Sequence, residues 1–203
     1  MSDPASTVFV VDDNPKVRRS VCTLLAATGL RSEAFASGKE FLAAYDPSRP
    51  GCLVLDLLLD GENGLDLQDE LHRREASLPI IVLTAHGSVP ASVRALKAGA
   101  FEFLEKPARP ATLLARIRDA LAMDERARQQ AATRAASARR LGLLTVRERQ
   151  ILDLLVAGQT SKEIATSLGV SVRTVEGHRA RIYLKTEVSS VAQLMRVVLA
   201  QGA

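Results

Sequence analysis

The chain has 203 residues, enough for one large domain or two small ones. Hydrophobic residues make up 47% and charged residues 25%, which excludes a wholly disordered polypeptide and is typical of a chain with a real core. No apolar stretch approaches the ~20 residues that a membrane-spanning helix requires, and the first residues lack the basic and apolar regions of a signal peptide. We therefore expect a cytoplasmic protein without a membrane partner, in which Cys22 and Cys52 are buried free thiols rather than a disulfide.

The net charge of +4 is unevenly distributed along the chain. Residues 1–122 contain 14 Lys and Arg against 16 Asp and Glu, which gives −2, and residues 123–203 contain 13 against 7, which gives +6. We expect a polyanionic partner, if there is one, to meet the C-terminal part.

The first 120 residues alternate short apolar runs with helical patterns. The runs predict strands at 7–11, 32–35, 52–55, 79–84 and 101–105, and the segments between them predict helices at 15–25, 37–45, after Gly64, at 89–98 and from about 110. Strands that alternate with helices at this spacing indicate βαβ units and a parallel sheet. Because VFVV, CLVL and IIVL are apolar throughout, we expect helices on both faces of that sheet. The sequence therefore predicts a doubly wound α/β domain with five strands in the order 2-1-3-4-5.

A long uninterrupted helical segment follows, with no Gly or Pro from 111 to 140. Its first part has an apolar stripe, which after Met123 gives way to Ala, Arg and Gln. We interpret residues 122–140 as a solvated helical linker between a domain at 1–121 and a second domain at 141–203. Half of a coiled coil in a dimer is the alternative interpretation of the same segment.

The last 60 residues contain no strand pattern and predict an all-α domain of four short helices, at 146–157, 161–168, 172–185 and 190–200. Within it, TSKEIATSLGVSVRTVEGHRARI predicts two helices joined by a tight turn, with Gly169 at the bend and Ser171 as the cap of the second helix. Val175 and Ile182 lie on the inner face of that helix. The outer face carries basic residues and either enters the major groove of DNA or is simply a solvated surface.

Chemically active side chains follow four of the five predicted strands. Asp12 and Asp13 follow the first strand and Asp56 the third, and these strands are neighbours at the switch point of such a sheet. Clustered carboxylates repel one another unless a cation is present, and oxygen ligands of this kind suit Mg²⁺. One carboxylate can then act as a nucleophile toward a phosphoryl group. Thr84 ends the fourth strand and Lys106 follows the fifth, where their polar groups can contact the same phosphoryl oxygens.

The motifs VFVVDDNP, CLVLD, IVLTAHG and FLEKP resemble the receiver domain of bacterial two-component response regulators, and the wider pattern over about 6–121 is similar to the FixJ subgroup of the FixJ/NarL family. The resemblance implies a flavodoxin-like fold in which Asp56 accepts a phosphoryl group from a histidine kinase. It also implies that Asp12, Asp13, Asp56 and the backbone carbonyl of Leu58 hold Mg²⁺. Thr84 and Phe103 would form the switch pair that responds to the phosphoryl group, and Lys106 would contact it.

The segment LTVRERQILDLLVAGQTSKEIATSLGVSVRTVEGHRARIYLK resembles the four-helix DNA-binding domain of LuxR and FixJ proteins, over about 141–200. The resemblance implies that 172–185 is the recognition helix, with Glu176 and Gly177 nearest the bases. It also implies that Lys162, Thr174, Arg179 and Lys185 are candidate phosphate contacts. The residues that we expect at double-stranded DNA are Lys162, Arg173, Thr174, Glu176, Gly177, Arg179, Arg181 and Lys185.

The sequence departs from the family pattern beside the acceptor. Leu59 and Asp60 stand where the family usually has Met-Pro, and Leu58 replaces a residue that is commonly polar. These changes bear on how long a phosphoryl group persists at Asp56. In the recognition helix, Gly177 stands where Val is usual.

Together these patterns predict a transcriptional regulator, not an enzyme, in which phosphorylation reshapes the surface of 89–105 and promotes a homodimer on DNA. One alternative keeps the DNA binding but has a degenerate receiver that works without phosphorylation. A second alternative is a phosphatase that uses Asp56 as its nucleophile. Haloacid-dehalogenase-type phosphatases need an acid two residues after the nucleophile, where this chain has Leu58, and this disfavours the second alternative.

Overall fold

The computed structural model describes residues 6–85 and 89–199. The chain divides into two compact units, Met1–Arg128 and Gln129–Ala203. The described strands are β1 (Thr7–Val11), β2 (Arg31–Phe35), β3 (Gly51–Leu55), β4 (Leu58–Leu59), β5 (Glu62–Asn63), β6 (Ile80–Thr84) and β7 (Glu102–Glu105). The described helices are α1 (Pro15–Ala27), α2 (Gly38–Ala44), α3 (Gly64–Arg73), α4 (Val89–Lys97), α5 (Pro110–Gly142), α6 (Val146–Val156), α7 (Ser161–Leu168), α8 (Val172–Thr186) and α9 (Val191–Leu199).

The N-terminal unit contains a five-stranded parallel sheet in the order β2-β1-β3-β6-β7. This is the predicted order 2-1-3-4-5, because β4 and β5 form a separate antiparallel hairpin. That hairpin is not predicted by the sequence pattern. Its two-residue strands are too short for a hydrophobic period to be recognised, and its turn depends on Gly61, whose φ of 72° is accessible to glycine without strain.

The strands β1, β3 and β6 are buried along their whole length. Their side chains alternate between two apolar layers, one on each face of the sheet, as the period of two in a strand requires. Phe9 and Leu53 lie in one layer with Phe41 of α2, and Val8 and Val54 lie in the other with Ile117 of α5. The prediction of a sheet covered on both faces is confirmed. Cys22 and Cys52 are free, as expected, but only Cys52 is buried, whereas Cys22 on α1 is partly exposed.

Helix α5 continues beyond its apolar stripe and remains attached to the N-terminal unit. Asp124 is 1% exposed, and its carboxylate accepts hydrogen bonds of 2.8 Å from the Gly51 N–H and from Nε of Arg128. The same guanidinium donates to the backbone carbonyls of Pro47, Ser48 and Arg49 at 2.8–3.0 Å. The predicted linker 122–140 thus begins with a turn that is bound to the start of β3, whereas residues 129–136 are exposed.

The C-terminal unit is built from the end of α5 and helices α6 to α9. Its core contains Leu141, Ile151, Leu152, Leu155, Ile164, Ala165, Val175, Ile182 and Leu194. Helices α6 and α7 begin with reciprocal capping boxes, Thr145 with Glu148 and Thr160 with Glu163. All four helices match the predicted ones to within one or two residues, except that residue 200 lies outside the described part. None of the described helices is both long and apolar enough to cross a membrane.

Candidate functional site

Three carboxylates lie together at the carboxyl ends of two adjacent strands. Asp12 and Asp13 follow β1, Asp56 follows β3, and one oxygen of each lies within 4.8 Å of the others. Asp12 and Asp56 are buried, whereas Asp13 is exposed. The structure therefore brings these three predicted residues into one pocket, and their oxygen atoms fit a hard divalent cation.

Lys106 lies between two of these carboxylates. Its Nζ atom is 2.5 Å from Oδ2 of Asp12 and 2.6 Å from Oδ2 of Asp56. Burial disfavours the charged form of Lys106, but the hydrogen bonds to Asp12 and Asp56 outweigh it and raise its pKa above the ordinary value. The ammonium group thus offsets the repulsion between the two buried carboxylates.

Two residues that the sequence analysis did not select as site residues hold the loop of Asp12 and Asp13. Arg18 of α1 donates from one nitrogen to the backbone carbonyls of Asp12, at 2.6 Å, and Asp13, at 2.9 Å. The N–H of Asn14 donates to Oδ1 of Asp12 at 2.9 Å, and the Asn14 side chain caps α1. Both oxygens of the Asp12 carboxylate are therefore held in place. In the sequence, this role of Arg18 is indicated only by the presence of an arginine in the first turns of α1.

Gly64 supports the backbone of Asp56. A Cβ atom at this position would lie 2.2 Å from the Asp56 carbonyl oxygen, so that only glycine permits the close approach of α3 to this strand end. The Leu58 N–H donates to Oδ1 of Asp56 at 3.1 Å. The side chain of Leu58 is half exposed in the hairpin next to the pocket.

Thr84 and Phe103, the predicted switch pair, lie on the neighbouring strands β6 and β7. Thr84 is fully buried at the end of β6, and its carbonyl accepts a hydrogen bond of 2.8 Å from the Lys106 N–H. Phe103 is partly buried at the edge of the apolar layer that contains Phe9. The sheet thus carries Thr84 at the same edge as the acidic pocket.

The helix-turn-helix of the C-terminal unit consists of α7, a turn and α8. Gly169 ends α7 with φ of 66°, and Ser171 caps α8 by accepting a hydrogen bond from the Thr174 N–H, as the sequence predicts. Val175 and Ile182 are fully buried beneath α8. Six of the eight predicted DNA contacts are exposed, namely Lys162, Arg173, Thr174, Glu176, Gly177 and Arg181, whereas Arg179 and Lys185 are half-buried.

Lys185 is engaged in an ion pair that joins α8 to α6. Its Nζ atom lies 2.7 Å from Oε2 of Glu148, whose side chain is 3% exposed. The hydrogen bond from Lys185, together with that from the Thr145 N–H, lowers the pKa of Glu148 to about 2. Lys185 was predicted only as a DNA contact, and its pairing with Glu148 was not predicted, because the two residues are 37 positions apart.

Comparison with known proteins assigns both units to families. Residues 8–118 match the response regulator receiver domain, and residues 142–198 match the bacterial regulatory proteins of the luxR family. A phosphorylatable receiver joined to a DNA-binding module defines the class of response regulators that control transcription.

Individual relatives agree along nearly the whole chain. The transcriptional regulatory protein FixJ of Azorhizobium caulinodans is 40% identical over 96% of this chain and 92% of its own length. The transcriptional regulatory protein TdiR of Thauera aromatica is 43% identical over 96% of this chain and 86% of its own length. The solved structure of the response regulator StyR has a TM-score of 0.89 at 40% identity, covering 96% of this chain and 98% of StyR. This chain therefore belongs to the NarL/FixJ family of two-component response regulators.

Membership in this family has two direct consequences. The receiver domain implies a histidine kinase as partner, and the LuxR-type domain implies binding to DNA. The predicted fold and the predicted family membership are confirmed.

Proposed function

We propose that Asp56 is the phosphoacceptor of this response regulator and that its phosphorylation controls the DNA binding of the C-terminal unit. The observation that supports this most directly is the ammonium of Lys106, held between the carboxylates of Asp12 and Asp56. Such an arrangement places a positive charge beside a buried nucleophile, where it can stabilise the oxygens of an incoming phosphoryl group.

In the phosphoryl transfer, a carboxylate oxygen of Asp56 attacks the phosphorus of the kinase phosphohistidine. The new O–P bond forms as the N–P bond breaks, and the histidine nitrogen leaves with its electron pair. Asp12, Asp13, Asp56 and the backbone carbonyl of Leu58 would hold Mg²⁺, which, when bound, screens the negative charge of the transferring oxygens.

After the transfer, the Lys106 ammonium exchanges its contact with the Asp56 carboxylate for one with a phosphoryl oxygen. The Thr84 hydroxyl turns toward the same oxygen, and Phe103 fills the space that Thr84 vacates. Because Phe103 lies on β7, this change alters the surface that β7 forms with α4. Val93 and Leu96 of α4 are 44% and 47% exposed, which supports an apolar contact with a second copy of the chain.

Dimerisation would pair two C-terminal units on half-sites about one helical turn of DNA apart. In each unit α8 would enter the major groove, with Glu176 and Gly177 nearest the bases and the exposed side chains of Lys162, Arg173, Thr174 and Arg181 near phosphates. We place this function in the cytoplasm, where bacterial DNA lies. We also propose that the chain is not a phosphatase, since Leu58 offers no acid to protonate a leaving group.

Phosphorylation with acetyl phosphate and Mg²⁺ tests the proposal. We expect an acyl phosphate on the wild-type protein, a shift from monomer to dimer in light scattering and tighter DNA binding. Asp56→Asn should lose all three, whereas Asp69→Asn, which changes an exposed acid on α3 outside the pocket, should keep them. Chelation of Mg²⁺ should also abolish labelling.

The alternative of a degenerate receiver is favoured by one observation, the half-exposed Leu58 beside the pocket where the family has polar residues. It predicts equal DNA affinity and equal oligomeric state for wild-type and Asp56→Asn protein after the same treatment. That result would overturn the phosphorylation switch while leaving the DNA binding intact.

A further inference from the structure

Arg179 is bound within the helix-turn-helix by three side chains. One of its terminal nitrogens donates to Oγ of Ser161 at 2.6 Å and to Oε1 of Glu176 at 3.0 Å, and the other donates to the Tyr183 hydroxyl at 3.3 Å. The Ser161 hydroxyl also donates to the same carboxylate oxygen of Glu176. Because Ser161 begins α7 and the others lie on α8, this network ties the two helices together.

These contacts leave Arg179 poorly suited to bind a DNA phosphate. Its side chain is 25% exposed, and its charge is already paired with that of Glu176. Binding a phosphate would require the guanidinium to give up hydrogen bonds that it makes within the protein. Arg173 and Arg181 on the same helix are exposed and better placed for that role.

Glu176, by contrast, is fixed and accessible. Its side chain is 53% exposed on the outer face of α8, and one carboxylate oxygen is held by Ser161 and Arg179. A carboxylate in the major groove accepts a hydrogen bond from the N4 amino group of cytosine. Phosphates would repel an unbalanced negative charge there, and the paired Arg179 cancels that repulsion.

We infer that Arg179 and Ser161 are positioning residues that hold Glu176 for reading a cytosine in the major groove. This inference rests on the proposed DNA-binding function and deepens it by naming what the interface recognises. It replaces the phosphate contact that the family resemblance implies for Arg179. The hydrogen-bond network of Arg179, Ser161 and Glu176 then determines the sequence specificity of DNA binding rather than the overall affinity for DNA.

Two substitutions that preserve the formal charge of α8 test the inference on the full-length protein. The probes are a duplex selected from a random library by the wild-type protein and a scrambled duplex of the same composition. Arg179→Lys keeps a point charge that suffices for a phosphate but cannot reach Ser161, Glu176 and Tyr183 together. Ser161→Ala removes the shared hydroxyl and changes no charge. Arg196→Lys is the matched control, at an exposed position of α9 that is not among the expected DNA contacts.

We expect both variants to bind the scrambled duplex as the wild type does and to lose about tenfold or more in preference for the selected duplex. The dependence of binding on salt should be unchanged, because the number of phosphate contacts stays the same. Arg196→Lys should keep the preference. Glu176→Ala should remove the requirement for one cytosine when the selection is repeated.

The inference is overturned if Arg179→Lys and Ser161→Ala retain the wild-type preference, or if Arg179→Lys weakens binding to both duplexes equally. Thermal unfolding of each variant shows whether a loss of preference for the selected duplex arises from misfolding. If Arg179→Lys is misfolded, the preference of Ser161→Ala decides whether the inference holds. If the wild type itself does not prefer any selected duplex, the proposed sequence-specific DNA binding fails, and this inference fails with it.

Discussion

The Nζ atom of Lys106 lies 2.6 Å from Oδ2 of Asp56, so the lysine expected to contact a phosphoryl group is paired with the acceptor carboxylate itself. The same nitrogen also contacts Asp12. Any cation that binds this pocket must therefore share or replace the contacts of the ammonium group. The charge balance of the pocket thus depends on one lysine from β7's carboxyl end.

Removal of that ammonium group should lower the stability of the receiver and raise its affinity for cations. In Lys106→Ala, two buried carboxylates lose their counter-charge, and we expect a loss of up to about 3 kcal/mol in EDTA. Mg²⁺ should bind more tightly than in the wild type and restore part of the stability. Thermal melts with and without Mg²⁺, together with calorimetric titration, measure both effects. Lys97→Ala, at an exposed position of α4, is the control, and an unchanged Mg²⁺ affinity in Lys106→Ala would contradict the prediction.

The apolar side chain of Leu58 should lengthen the life of the acyl phosphate. It is half exposed beside Asp56 and offers no polar group that could orient a water molecule. An amide at this position can hydrogen-bond to an attacking water molecule. We therefore expect the acyl phosphate of Leu58→Asn to hydrolyse about threefold to tenfold faster than that of the wild type. The decay of the phosphoprotein after removal of the phosphodonor measures this rate. Leu58→Met, which remains apolar, should decay as the wild type does.

The contact of Arg128 with the loop before β3 should protect the middle of α5. Without this guanidinium, the buried Asp124 carboxylate loses a charged partner, and the carbonyls of residues 47–49 lose their donor. We expect amide hydrogens of residues 121–128 to exchange about tenfold faster in Arg128→Ala, as measured by mass spectrometry. Arg126→Ala, exposed on the same helix, should leave the exchange unchanged, and equal exchange in both variants would contradict the role of Arg128.

Gly177 lowers the stability of the recognition helix α8, although its surroundings leave room for a Cβ atom. A Cβ atom there would meet no heavy atom within 4 Å, so Gly177→Ala should stabilise α8 by about 1 kcal/mol. Gly169 has the same open surroundings but a φ of 66°, and Gly169→Ala should destabilise the unit by about 1 kcal/mol. Thermal unfolding followed by circular dichroism distinguishes the two. A decrease in stability for Gly177→Ala would show that glycine is needed in the folded helix itself.

The ion pair between Glu148 and Lys185 should make the C-terminal unit sensitive to acid. Because folding lowers the pKa of Glu148 from 4.5 to about 2, its contribution to stability is present above about pH 4.5 and is lost as the pH falls toward 2. In Lys185→Met, the NMR titration of the Glu148 carboxyl should move to a higher pH. Glu163 is an internal control, since hydrogen bonds from Thr160 lower its pKa and do not involve Lys185. An unchanged Glu148 titration would show that the cap at Thr145 alone lowers its pKa.

The sequence by itself determined the five strands of the parallel sheet, the helices between them and the helix-turn-helix, because these follow from local patterns. Apolar runs of four or five residues define β1, β3 and β6, and the strand ends define Asp12, Asp56 and Lys106 as neighbours. Gly169 and Ser171 define the turn before α8. All of these signals lie within short windows of the chain.

Only the tertiary structure decided which partner each polar side chain takes. Lys106 pairs with Asp12 across 94 positions, Asp124 with the Gly51 N–H across 73, and Arg179 with Ser161 across 18. Periodicity specifies the face on which a residue lies, but not which of several nearby oxygens its flexible side chain contacts. That choice depends on the packing of separate elements. It decides whether a polar side chain is available to bind DNA or phosphate or is already paired within the protein.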